Sequence, residues 1–349
     1  MGVFILLTPG FPENENDTTC LPAFQQFALS VKKLIPPHEF VVIAFHYPFV
    51  KKDYSWNGIR VISIGGSNKP GLNRILTWVR AFFVLQSIKR KSQIIGVFSL
   101  WVTECALVGK FFARLHNLKH YIWLIGQDAK KSNQYVKRIK PTGANIIAMS
   151  DFLKEEYFRN HQVLPFMVAE NGIHESAFPT LNTGERSIDI LGVGSLIPLK
   201  RYDLFIEIIY EVQCFYPNLK VVIAGSGIDE NNLREKVKSL SLENVIHFEG
   251  SIPHAAIFEL MNQSKIFLHT SEYEGNSTVL MEALYSGCFS ISSQALSNSE
   301  TFNLQVLSTK SDFVTAIKYR LEHPTTETQR ICFNTMDTSA KKILDLFLS

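Results

Sequence analysis

Charge imbalance is the first thing this chain lacks. Its 35 lysines and arginines against 32 acids leave a formal net charge of +3 over 349 residues, far from the strongly basic balance of a nucleic-acid binder. Cysteine is scarce too. Cys20, Cys105, Cys214, Cys288 and Cys332 are odd in number, widely spaced and without a metal-like pair, which argues against a disulfide framework or a metal centre and fits reduced thiols in a cytosol. No apolar run reaches bilayer-spanning length before a charge interrupts it. The short apolar run at residues 3–7 meets Pro9-Gly10 without a basic leader, so it reads as a buried first strand rather than a secretion signal. Asn16-Asp17-Thr18 and Asn276-Ser277-Thr278 match glycosylation acceptors, a match that is empty without secretion. Tandem repeats and low-complexity tracts are missing as well.

What is present suits two domains: the length is about twice a typical domain, and 46% hydrophobic residues can fill two cores. Short apolar runs alternate with longer helical patterns, which argues for parallel sheets flanked by helices. In the first half strands are expected at 3–7, 40–45, 61–64, 94–98, 121–125 and 145–148, with helices at 21–34, 73–89, 104–115 and 151–160, the last capped by Ser150. In the second half strands are expected at 188–193, 220–224, 245–248, 266–269 and 289–292. The polar, turn-rich stretch 178–187 reads as a linker, dividing a domain over 1–180 from one over 187–330. Residues 331–349 hold an amphipathic helix.

The densest chemistry lies at 271–284, Ser-Glu-Tyr-Glu-Gly-Asn-Ser-Thr-Val-Leu-Met-Glu-Ala-Leu. Gly275 permits a tight turn, Asn276 follows it, and Ser277 or Thr278 can cap a helix whose first N–H groups would face a phosphate. Glu274 then sits in the loop and Glu282 in the second helical turn. Carboxylates accept paired hydroxyl donors, so a ligand with a sugar at each end of a diphosphate suits the pair. Upstream, an apolar strand runs into Gly194-Ser195 and the basic pair Lys200-Arg201, and a second ends in Gly225-Ser226-Gly227. A cation after the first strand can neutralise charge growing on a departing diphosphate. The Gly-x-Gly turn allows close backbone approach but lacks the third glycine of a dinucleotide fingerprint, which argues against a nicotinamide cofactor.

These segments, in this order over residues 188–292, resemble glycosyltransferase family 4, the retaining enzymes of the glycosyl transferases group 1 type. The resemblance implies an α/β GT-B architecture, two Rossmann-like domains facing across a cleft, with the donor held by the second and the acceptor by the first. It implies Glu274 and Lys200 as the catalytic pair, Glu274 facing the donor sugar and Lys200 the diphosphate. Glu282 takes the ribose, and Ser195, Arg201, Gly225, Gly227, Gly275, Asn276, Ser277 and Thr278 complete the donor site. The family often has arginine where Ser195 stands, and Arg201 is the available substitute. Asn171-Gly172-Ile173 is similar to the family's turn near the domain junction, and the terminal helix is expected to pack back on the first domain. No metal or other cofactor is called for, since a helix N-terminus and a lysine supply positive field.

The acceptor half speaks more softly. The polar loop 10–18 follows the first strand without the family's usual glycine pair. Gln127-Asp128 stands at a strand end where many relatives carry histidine; the two can hydrogen-bond sugar hydroxyls, or be an exposed strand-end pair with no such role. His46 ends another strand and is the third acceptor-side candidate beside a structural reading. Residues 72–91 combine Trp78, Phe82, Phe83, Leu85 and Ile88 with Arg74, Arg80, Lys89, Arg90 and Lys91. Two readings stay open: a helix resting on an anionic membrane, useful for a lipid-linked acceptor, and a core helix with a solvated edge, the ordinary outcome in this fold.

The function expected is transfer of a hexose-type sugar from a nucleotide diphosphate sugar to a hydroxyl of a glycan or glycolipid, with retention, in cell-surface polysaccharide synthesis. The enzyme is expected in the cytoplasm, with a place at the inner face of the membrane if the acceptor is lipid-linked. A non-catalytic GT-B module that binds nucleotide or glycan, and a nucleotide-sugar epimerase of the same fold, are the alternatives.

Overall fold

A computed structural model describes residues 2–69, 71–297, 301–324 and 329–349. The chain forms two compact units, residues 1–172 with 334–349 and residues 173–333.

The first unit contains β1 (Val3–Gly10), α1 (Pro22–Leu34), β2 (Glu39–Tyr47), β3 (Lys51–Trp56), β4 (Ile59–Ile64), α2 (Leu72–Lys91), β5 (Ile94–Leu100), α3 (Glu104–His116), β6 (Lys119–Leu124), α4 (Tyr135–Ile139), β7 (Ile146–Ala148), α5 (Asp151–His161) and β8 (Met167–Val168). Its described strands pair in the order β3-β4-β2-β1-β5-β6-β7-β8. Alternation along β1 explains why the sheet is buried on both faces: Val3, Ile5 and Leu7 join the core under α2 and α3, while Phe4 meets Phe40 and Phe347 on the other side.

One strand departs from the parallel pattern. β3 runs antiparallel to β4, joined by Asn57-Gly58 with both φ angles positive, 46° and 71°, the backbone that a two-residue hairpin turn requires. Its leading residues Lys51, Lys52 and Asp53 are exposed, so no apolar run marks it in the sequence.

The second unit contains β9 (Ile188–Val193), α6 (Tyr202–Gln213), β10 (Val221–Ala224), α7 (Glu230–Ser239), β11 (Ile246–Gly250), α8 (His254–Asn262), β12 (Ser264–His269), α9 (Thr278–Tyr285), β13 (Phe289–Ser292), β14 (Leu304–Val306) and α10 (Lys310–Glu322). The described strands are all parallel, in the order β11-β10-β9-β12-β13-β14. Two apolar clusters sandwich this sheet, one built with α6, α7 and α10 and one with α8 and α9. The stretch 178–187 is held on this unit: Phe178 stacks on Phe258 with centroids 4.0 Å apart, and the Asn182 amide N–H donates to Asn262 Oδ1.

The last helix, α11 (Met336–Leu348), belongs to the first unit. Thr335 caps it by accepting from Thr338 N–H, Phe347 inserts among Phe4, Phe98 and Tyr121, and Asp337 accepts from Ser30 and Lys33 of α1.

Candidate functional site

β9 and β12 are neighbours in the second sheet, so the loops leaving their carboxyl ends lie side by side, where ligands of open α/β sheets gather. Backbone ties fix the two loops together. Glu272 N–H donates to Leu199 O at 2.8 Å, and the Thr270 hydroxyl reaches the carbonyls of Lys200 and Arg201, each at 3.0 Å. Lys200, on a single 3-10 turn, is thereby held against Glu274: its Nζ lies 2.5 Å from Glu274 Oε1.

The same carboxylate oxygen lies 3.2 Å from Nε2 of His269, the last residue of β12. The tautomer of His269 follows from its other side. Ser292 donates its hydroxyl to Gln294 O and so accepts from His269 Nδ1, 2.9 Å away. Nε2 is left facing Glu274 and the hydroxyls of Ser271 and Ser277, at 3.0 and 3.4 Å. Burial alone would raise the Glu274 carboxyl, but the His269 ring beside it and the charge of Lys200 outweigh it and hold the group at about 2. Glu274 is therefore an anion at any physiological pH.

Beyond Glu274 the chain turns through Gly275 and Asn276, both half-buried, to Ser277, the N-cap of α9. The opening N–H groups of a helix lie outside its own hydrogen-bond ladder, and those of α9 begin at Thr278, beside the Glu274 loop. Glu282, one turn on, is buried, with Oε1 3.0 Å from Nε2 of His254 at the start of α8. Burial disfavours charge on His254, yet Glu282 overrides it and lifts the imidazole above its ordinary value.

The remaining donor-side residues divide by what they touch. A Cβ on Gly225, whose φ is 141°, would come within 1.9 Å of Gly194 O, and one on Gly227 within 2.2 Å of Leu196 O. Both glycines let the β10 loop lie flat against the β9 loop, reinforced by Leu196 N–H donating to Ser226 O. Ser195 is exposed on that loop. Arg201 pairs with Asp203, Nε to Oδ1 3.2 Å. Among the described residues no group of three His, Cys, Asp or Glu side chains is placed to hold a metal ion.

In the first unit, Asp128 is buried and its carboxylate is consumed locally: Oδ1 accepts from Ile125 and Gly126 N–H, and Oδ2 from Val102 N–H. It organises two strand-end loops, and burial raises its carboxyl despite those amides. Gln127 beside it is exposed. His46 is buried, its Nδ1 accepting from Asn68 N–H, which assigns the proton to Nε2, 2.7 Å from Glu104 Oε1. Trp78 Nε1 donates to the other Glu104 oxygen. This cluster floors a shallow depression of about 400 Å³ whose walls include Tyr47, Trp101 and Tyr135.

Sequence reasoning missed His254, His269 and Ser292 as members of the cluster around Glu274 and Glu282. For His269 a signal existed: a polar residue closing an apolar strand immediately before Thr270-Ser271, at the end of the sheet where ligands bind.

Residues 174–325 match the family described as glycosyl transferases group 1. The GPI3 component of yeast (Saccharomyces cerevisiae) phosphatidylinositol N-acetylglucosaminyltransferase is 27% identical over 148 residues, 40% of this chain and 33% of that protein, so the match spans about a third of that relative's length. Among solved structures, the UDP-forming trehalose-phosphate synthase of Burkholderia vietnamiensis superposes with a TM-score of 0.72 at 11% identity, covering 100% of this chain and 97% of the other. Anabaena HepE in complex with UDP and glucose gives 0.69 at 14% identity, covering 99% and 95%. The architecture is thus the GT-B glycosyltransferase fold, and the second unit carries its glycosyl transferases group 1 match.

Proposed function

We propose that the protein is a retaining glycosyltransferase that moves a hexose-type sugar from a nucleotide diphosphate sugar to a hydroxyl of a glycan or glycolipid, in cell-surface polysaccharide synthesis. Glu274 positions the donor sugar, Glu282 the ribose hydroxyls and Lys200 the diphosphate, with the first amides of α9 adding positive field at the phosphates. The bond from the anomeric carbon to the diphosphate oxygen breaks, and its electron pair leaves with the nucleoside diphosphate. The acceptor oxygen forms the new bond, and the departing phosphate takes the hydroxyl proton.

One observation carries this reading: Lys200 and Glu274 form a half-buried ion pair beside a helix N-terminus, with buried Glu282 on that helix. An apolar strand-end surface alone gives no reason for one half-buried carboxylate before a helix start and a buried one within that helix. Donor binding exchanges the Lys200 partner, from Glu274 to the diphosphate, and frees Glu274 for the sugar. HepE was solved with UDP and glucose, and the yeast relative is named for an inositol-lipid acceptor; these support the choice of donor and acceptor class. On the acceptor side the proposal assigns His46 and Gln127 to the neighbourhood of the incoming hydroxyl, and Asp128 to the loop that carries Gln127.

A panel of nucleotide sugars tests the reading by thermal shift and product analysis. At least one should raise the melting temperature of the purified chain, since a ligand binding only the folded state stabilises it, and should lose its sugar when acceptor is supplied. No shift and no turnover across the panel would refute it.

A further inference from the structure

The near-neutral total conceals a strong local asymmetry. Residues 72–140 hold thirteen lysines and arginines but two acids, Glu104 and Asp128, and both acids are buried. The outer surfaces of α2, α3 and α4 therefore carry charge of one sign.

The same surfaces are apolar where a solvated helix would be polar. α2 buries Thr77, Ala81, Leu85 and Ile88. On its opposite side Leu72, Ile75, Leu76, Val79 and Phe83 are 45% to 79% exposed, at the i, i+3, i+4, i+7 and i+11 spacing of one helical stripe. The stripe runs along about 16 Å of helix. α3 packs beside α2, with Phe82 against Phe112, and adds exposed Phe111 and Leu115, each 63% accessible. Arg80, Arg90 and Lys91 on α2 and Arg114 on α3 are exposed among them. Seven large apolar side chains in the open on two packed helices exceed the scatter normal for a monomer surface.

We propose that this face of the first unit is a docking surface for an anionic lipid bilayer. Aliphatic and aromatic side chains enter the headgroup boundary while the arginines and lysine pair with lipid phosphates, the combination that holds interfacial helices in the plane of a membrane. The face presents charge of one sign and no exposed carboxylate on α2 or α3, which suits a uniformly anionic plane better than a second copy of itself. No helix among the described residues is long and apolar enough to cross a membrane, so the contact is peripheral. The inference stands independently of the sugar-transfer reading, because vesicle binding is measured without donor.

Flotation of the purified full chain with phosphatidylcholine vesicles, and with mixed phosphatidylcholine–phosphatidylglycerol vesicles, tests it. The protein should float with the anionic vesicles at low salt and be released by high salt. Arg90→Ala/Lys91→Ala should lower the partition coefficient about five-fold per charge removed. Leu76→Ser/Phe83→Ser should reduce it further at every salt concentration. All four positions are exposed, and an unchanged thermal unfolding curve identifies loss of binding rather than loss of fold. Equal binding to neutral vesicles, or no flotation with either, would overturn the proposal. So would a dimer in sedimentation that the serine variant abolishes without any vesicle binding, which would assign the face to a second copy.

Discussion

Glu282 and His254 meet in the second unit with 3.0 Å between Oε1 and Nε2, both side chains largely withdrawn from solvent. The contact engages one carboxylate oxygen, and with Glu282 on the ribose, as proposed above, His254 would act on the donor through Glu282.

His254→Ala should therefore raise the donor KM about ten-fold with little change in kcat, since it disturbs binding common to ground state and transition state. It also leaves a buried carboxylate without its partner, at a cost of about 1–3 kcal/mol. The imidazole is raised above its ordinary value in the folded state. Its contribution is thus complete below the unfolded value and disappears as pH rises through the folded one. Donor affinity measured across that window should fall with rising pH in the wild type and stay flat in His254→Ala.

The Glu274 carboxyl has the opposite sign. Its folded value is depressed from 4.5 to about 2, so its stabilisation is present above the unfolded value and lost as pH falls through the folded one. The contribution at neutral pH is on the order of 3 kcal/mol. Urea unfolding of wild type and Glu274→Gln should show a stability difference that shrinks between pH 4.5 and 2.

Gly225→Ala should destabilise by more than about 2 kcal/mol. The added Cβ would overlap Gly194 O in a backbone with φ of 141°, and neither backbone segment can yield without parting the β9 and β10 loops. A denaturant midpoint within error of wild type would show that the loops separate at no cost.

Asp128→Ala removes the acceptor of three amides at 2.7 to 3.2 Å and should cost about 3 kcal/mol. Gln127→Ala, at an exposed neighbour, should leave the melting temperature unchanged and act, if at all, on acceptor KM. Calorimetry and acceptor kinetics on the two variants separate loop support from ligand contact.

The alternation of buried strands and helices was plain in the sequence because the strands are apolar on both faces, as in β1 and β9. The hairpin strand β3 escaped because its first three residues face solvent and carry lysine and aspartate, so the Asn57-Gly58 turn was its remaining signal. β8 and β14, of two and three residues, are too short for any period to show. In the site, Glu274, Glu282 and Lys200 stood out through the resemblance of 188–292 to the family's donor segments, since acids and bases at such spacings are common by themselves. His254 and His269 did not, since a lone histidine beside apolar residues has an ordinary packing role until the fold brings a carboxylate to it from 28 or 5 positions away. Asp128 shows the converse: its residue type suggested a ligand contact, and its partners are backbone amides fixed by folding.

The account rests on Lys200 meeting the diphosphate once it leaves Glu274. Single-turnover sugar transfer by purified Lys200→Ala, at saturating donor, measures this most directly. The predicted result is a rate lower by about 10²–10³, the usual loss when one preorganised positive group is removed from a developing anion. Transfer at the wild-type rate would contradict it.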